Sequence, residues 1–135
     1  MNFDFLPYPL NSSLRKLESN LAFDSRNNEV DFYKVLELPV QSIFEMPITS
    51  IALYFHRNKL ITAYYRLNTQ YASWEQVVTS FEAYLAKDAM CWEEDEGNLY
   101  NWKLGNQFLG ILASKSDNTI TIYHTYKRYN VFEDI

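Results

Sequence analysis

Apolar positions along the chain follow two different periods. After Pro9, the residues Leu14, Leu17 and Leu21 recur at i, i+3 and i+7, one face of an α-helix, and Asn11-Ser12-Ser13 in front of them offers an N-cap. A second helical stripe, Val78, Phe81 and Leu85, follows Ser73-Trp74-Glu75-Gln76, in which a hydroxyl is succeeded three residues later by an amide able to reach back to the cap. These patterns predict helices over about residues 12–23 and 73–88. Elsewhere the period drops to two, with β-branched and aromatic residues dominating, and predicts strands at about 30–36, 49–57, 59–67, 99–104, 107–115 and 118–126. Asn and Asp tolerate positive φ, which puts tight turns at Arg57-Asn58 or Asn58-Lys59 and at Asp117-Asn118. The stretch Leu38 to Pro47 carries two prolines and reads as a loop.

The halves of the chain correspond to one another. ESNLAFD from Glu18 lies over EAYLAKD from Glu82, sharing Glu, Leu, Ala and Asp, and the same offset carries Leu14, Leu17 and Leu21 onto Val78, Phe81 and Leu85. Further on, Ile61, Thr62 and Tyr64 lie over Ile120, Thr121 and Tyr123. Helix then three strands, twice over, predicts an α+β fold: a tandem α-β-β-β repeat with halves at about 11–68 and 73–126. Within a single domain over 1–135, it would form one antiparallel sheet of about six strands with two helices on one face. In the last hairpin, a two-residue turn places Ile111, Ala113, Ile120 and Ile122 on a core face and Leu112, Ser114, Thr121 and Tyr123 on a mixed polar and aromatic surface. In the first-half hairpin, Ile51, Leu53 and Phe55 alternate with Ala52, Tyr54 and His56, and either set is apolar enough to bury.

Composition narrows the functions this framework could serve. Aromatic residues reach 17%, while Gly97, Gly105 and Gly110 are the only glycines and form no phosphate-cradling cluster. The net charge is −5, with the basic residues scattered, which argues against nucleic acid as a partner. Glu93-Glu94-Asp95-Glu96 concentrates four acids in one tetrapeptide. Cys91 is the sole cysteine, so no internal disulfide forms, as suits a reducing compartment. The opening MNFDFLPYPL lacks the basic start of a secretory signal, and the longest apolar run, Ile51 to Phe55, falls far short of the ~20 residues that span a bilayer. A cytoplasmic protein with no membrane partner is the expectation.

Catalytic chemistry finds little support. Cys91 with His56 or His124 lacks the local pattern of a thiol enzyme, and reads instead as a buried or half-buried thiol. The two histidines form no close metal-binding pair and read as polar tips on strands. Neither a catalytic residue, a metal nor a cofactor is expected. What stands out is CWEEDEGNLYNW, where Trp92, Tyr100 and Trp102 bracket Glu93, Glu94, Asp95 and Glu96. Aromatics beside carboxylates anchor and steer association with a basic protein, and Tyr123 joins them as a candidate on the open face of the sheet. The reading is a non-catalytic protein-binding domain, physically like the immunity proteins and inhibitors that neutralise a basic toxin or enzyme by direct binding. The alternatives are a small-ligand carrier or sensor with a cavity between helices and sheet, and a homodimeric structural protein whose aromatic faces cover each other.

Overall fold

The computed structural model describes residues 5–70, 73–114 and 118–131. Its regular elements are α1 (Leu14–Leu17), β1 (Leu21–Asn27), β2 (Val30–Val35), β3 (Ser42–Ile43), β4 (Met46–His56), β5 (Lys59–Leu67), α2 (Trp74–Leu85), β6 (Met90–Glu94), β7 (Gly97–Leu104), β8 (Gln107–Ser114) and β9 (Ile120–Tyr126). The strands form a nine-stranded antiparallel sheet in the order β1-β2-β4-β5-β9-β8-β7-β6, with β3 pairing β4 outside that path. Two up-and-down meanders, β1-β2-β4-β5 and β6-β7-β8-β9, therefore meet through their last strands. Tyr64 of β5 lies opposite Tyr123 of β9, and their rings stack at 4.9 Å. Followed outward from this pair, the ladder runs Tyr64, Ala52, Lys34, Ala22 on one side and Tyr123, Gly110, Asn101, Met90 on the other.

The sheet has nine strands rather than about six, because β1, β3 and β6 carry no period-two signal. β1 is exposed at five successive positions and is interrupted by a bulge between Phe23 and Ser25, while β6 ends in acids. Both lie at the two edges, where one side of the strand has no partner strand to select for apolar residues. The first predicted helix shrinks for a related reason. Only Leu14–Leu17 is α-helical, Glu18–Asn20 is a 3-10 turn, and Leu21 already belongs to β1. Asn20 ends it by gripping the far strand end: its side chain accepts from the Glu37 amide at 2.9 Å and donates to the Glu37 carbonyl. Leu21, matched in sequence to the helical Leu85, is thus a strand residue.

The second helix forms as its cap promises. The Gln76 amide donates to Ser73 Oγ at 3.2 Å, and Val77, Val78, Phe81 and Leu85 are buried. It stops three residues short of position 88, because Ala86 adopts a left-handed φ of 53° and Glu82 holds the exit. The Glu82 carbonyl accepts from Lys87, and its carboxylate accepts from the Ala89 amide at 2.8 Å. Residues of both helices, Leu14 among them, enter one hydrophobic core with the alternate strand residues Leu53, Phe55, Ala63, Tyr65, Leu109, Ile111 and Ile122. The first-half hairpin therefore buries Ile51, Leu53 and Phe55, and its turn is Arg57-Asn58, both at positive φ.

In the last hairpin Ser114 pairs with Thr119, so the connection is longer than two residues; Asp117 lies outside the described residues. Ile111 faces Ile122 and Ala113 faces Ile120, so the division into two faces stands despite the longer connection, since a shift by two residues preserves pleat parity. The second face is not an open surface at Tyr123, however. Tyr123 is wholly buried with Leu99 and Phe108, because the chain after β9 turns back onto it: the Val131 amide donates to the Tyr123 hydroxyl at 3.2 Å. Gly110 permits this packing. A Cβ there would stand 2.9 Å from a Leu99 methyl and 3.1 Å from the Phe108 ring.

Candidate functional site

The acidic run forms the tip of the β6–β7 hairpin. Glu94 pairs with Gly97 across the two-residue turn Asp95-Glu96, and Gly97 is required because a Cβ there would lie 2.4 Å from the Ala113 carbonyl oxygen of β8. Glu93, Asp95 and Glu96 are exposed, and Glu94 is the last residue of β6. Among the described residues none of Glu93, Asp95 and Glu96 is in an ion pair. With none of these three paired to a cation among the described residues, they give the tip a negative potential.

Pleat parity separates the aromatics that flank these acids. Tyr100 and Trp102 point into the main core, where Trp102 is 1% exposed and its indole N–H donates to the Lys87 carbonyl at 2.9 Å. Tyr100 is buried beneath Trp74, the two rings lying parallel at 5.1 Å, and its hydroxyl accepts from the Asn98 amide. Burial is the main cause of its raised pKa, with the neighbouring Cys91 adding to it. Trp92 instead pairs with Leu99 on the opposite face of an edge strand, where it is 38% exposed, and Met90 on the same face is 66% exposed. The structure thus leaves Trp92 exposed on the edge strand that leads to the acidic turn, with Glu93 on the opposite face of that strand, and places Trp102, Tyr100 and Tyr123 in the interior.

Cys91 and the histidines do not come together. Cys91 is exposed on the edge strand rather than buried. His124 is buried within β9 and is no polar tip: its Nε2–H donates to Gln107 Oε1 at 2.7 Å, and burial lowers its pKa to about 4. His56 ends β4, with Nδ1 3.2 Å from the Tyr129 hydroxyl and Nε2 3.8 Å from the Glu29 carboxylate. Among the described residues there is no group of three His, Cys, Asp or Glu able to hold a metal, and no helix long and apolar enough to cross a membrane.

A second feature gave no signal in the sequence. A cleft of about 500 Å³ opens at the other end of the strands, between the β4–β5 turn and the 3-10 segment Lys127–Tyr129. Its charged lining is cationic, from Arg57, Lys59 and Arg128, and Tyr126 and Tyr129 form a wall. These residues come from segments about seventy positions apart, so no local motif announces them.

The fold and its surfaces define an α+β protein on a broad antiparallel sheet, with an acidic aromatic edge and a cationic cleft. No family model, curated protein or solved structure matches the chain.

Proposed function

We propose that this chain is a non-catalytic protein-binding domain, an immunity or inhibitor protein that works in the cytoplasm and neutralises a basic toxin or enzyme by direct binding. The observation that carries this reading is the β6–β7 hairpin, where Met90 and Trp92 are exposed on one face of the edge strand, Glu93 is exposed on the other, and Asp95-Glu96 form the exposed turn beyond them. Unpaired acids raise the encounter rate with a cationic partner, and the indole supplies contact area that is desolvated once docking is complete. Among the described residues no strand pairs with the outer edge of β6, so its main-chain groups could pair with an extended segment of that partner. Trp102, Tyr100 and Tyr123, being buried, are not part of this surface.

We further propose that the sheet arose from a duplicated helix-and-meander unit. Supporting this are the helix preceding each meander, the pairing of Tyr64 with Tyr123 where the sequence correspondence superposes them, and the matched ladders leading outward from that pair. The unit would carry four strands rather than three, the first half holding the additional β3 and proline loop.

The test is kinetic. A partner is first isolated by crosslinking from lysate of the cell that encodes the chain, and purified. Its association is then measured at low and high salt with wild type, with Glu93→Gln/Glu94→Gln/Asp95→Asn/Glu96→Gln, and with Trp92→Ala. The neutralised variant should associate about tenfold more slowly at low salt with a flattened salt dependence, whereas Trp92→Ala should mainly speed dissociation. Wild-type association by the neutralised variant at low salt overturns the role of the acids.

A further inference from the structure

The acidic tip has a counterpart of opposite sign. Pairing of Thr62 with Thr125, Gln107 with Tyr126 and Leu104 with Gln107 puts the start of β5 and the end of β9 at the strand end remote from Asp95-Glu96. There the cleft of about 500 Å³ presents Arg57, Lys59 and Arg128, three formal positive charges on a protein whose net charge is −5. Among the described residues no Asp or Glu lines it, and none of the three cations is in an ion pair. Glu29 approaches His56 at the rim of the cleft at 3.8 Å, while Arg57, Lys59 and Arg128 together carry a local positive field.

The cleft is also shaped. The Arg128 guanidinium lies over the rings of Tyr126 at 5.4 Å and Tyr129 at 5.0 Å, which restrains its plane while leaving its edge N–H groups available. Tyr129 is held in turn by His56. The β5 side of the cleft is stiff, because Leu60 is bonded through its amide and carbonyl to Ser12 and Asn11. A planar fork resting over two rings suits the bidentate recognition of a tetrahedral oxyanion, and the two further cations more than balance its second charge. The tyrosine wall and the cleft's volume provide for an organic body attached to that anion.

We infer that this cleft binds a small organic phosphate, its phosphate group held by Arg128, Arg57 and Lys59 and its body lying against Tyr126 and Tyr129. The site is independent of the acidic edge and stands or falls separately from it.

The probes are AMP, adenosine and inorganic phosphate, titrated into the full-length chain at low salt and followed by calorimetry and by amide resonances. AMP should bind with a Kd below about 1 mM and shift resonances over residues 57–61 and 126–129. Adenosine should bind at least tenfold more weakly for want of charge, and inorganic phosphate several-fold more weakly for want of a body. The variant Arg57→Gln/Lys59→Gln/Arg128→Gln changes exposed side chains only; its melting temperature should stay within a few degrees while AMP affinity falls at least tenfold. Single Arg128→Lys, which keeps the charge and loses the fork, should fall between the two. Equal binding of AMP and adenosine, equal binding of AMP and inorganic phosphate, unchanged affinity in the triple variant, or shifts confined to other residues would each overturn the assignment.

Discussion

The two strands of one hairpin, β6 and β7, have similar residues and opposite fates. Each carries a tryptophan, and ten positions separate Trp92 from Trp102, yet Trp92 is 38% exposed while Trp102 is 1% exposed and hydrogen-bonded. β7 has β8 on its far side and α2 above it; β6 has no further strand beyond it among the described residues. Aromatic identity therefore does not separate exposed from buried here. Position in the sheet order does, together with pleat parity, which sends Trp92 and Trp102 to opposite faces.

The sharpest way to break this contrast is to truncate each tryptophan. Trp102→Ala empties a filled volume beside Phe81 and strands the Lys87 carbonyl, and should cost about 3–5 kcal/mol, lowering Tm by roughly 10 °C or more in a thermal melt. A fall of only a degree or two would mean that Trp102 is not part of the core.

A charge tests the interior strands next. His124, buried in β9, has its pKa lowered to about 4 from the ordinary 6.5. The unfolded chain thus takes up a proton before the folded one does as pH falls. Its contribution to stability is full above about pH 6.5, is lost progressively between pH 6.5 and 4, and reaches at most roughly 3 kcal/mol. Denaturant melts at pH 7 and 4.5 should show the loss, and His124→Gln should remove that part of the difference. An equal pH dependence in the variant would place the titration elsewhere.

Packing on the second face gives a smaller effect. Gly110→Ala pushes a methyl into Leu99 and the Phe108 ring and should cost about 1–3 kcal/mol by chemical denaturation. Neutral behaviour would show that the Leu99, Phe108 and Tyr123 cluster is loose. The smallest effect is expected at the edge. Trp92→Ala should change stability by less than about 1 kcal/mol, although it is the substitution expected to alter partner dissociation. A loss comparable to that of Trp102→Ala would erase the distinction between the two strands.

What could be read from the chain alone was whatever a local period encodes. Ser73 and Gln76 cap α2 as the spacing requires, the alternation in β4, β5, β8 and β9 marks strands, and Ile111, Ile120 and Ile122 fall on the core face. That Tyr64 and Tyr123, aligned in the sequence as equivalent positions, pair with each other at the centre of the sheet was not legible, because strand pairing is a long-range property. Edge strands escaped, because β1 and β6 bear polar residues on both sides and the leucine stripe before β1 imitates a longer helix. Of the candidate site, the local grouping of acids and aromatics was legible, but the division of exposed Trp92 from buried Trp102 and Tyr123 was not. Burial depends on which strand lies alongside and which segment folds back across a face, as Val131 does on Tyr123. The cationic cleft belongs wholly to tertiary structure. Arg57 and Arg128 are neighbours only because two turns of distant sequence end at the same rim of the sheet, a consequence of pairing between β5 and β9. Short-range periodicity is a property of the residues themselves, whereas exposure, edges and charge clusters depend on long-range pairing.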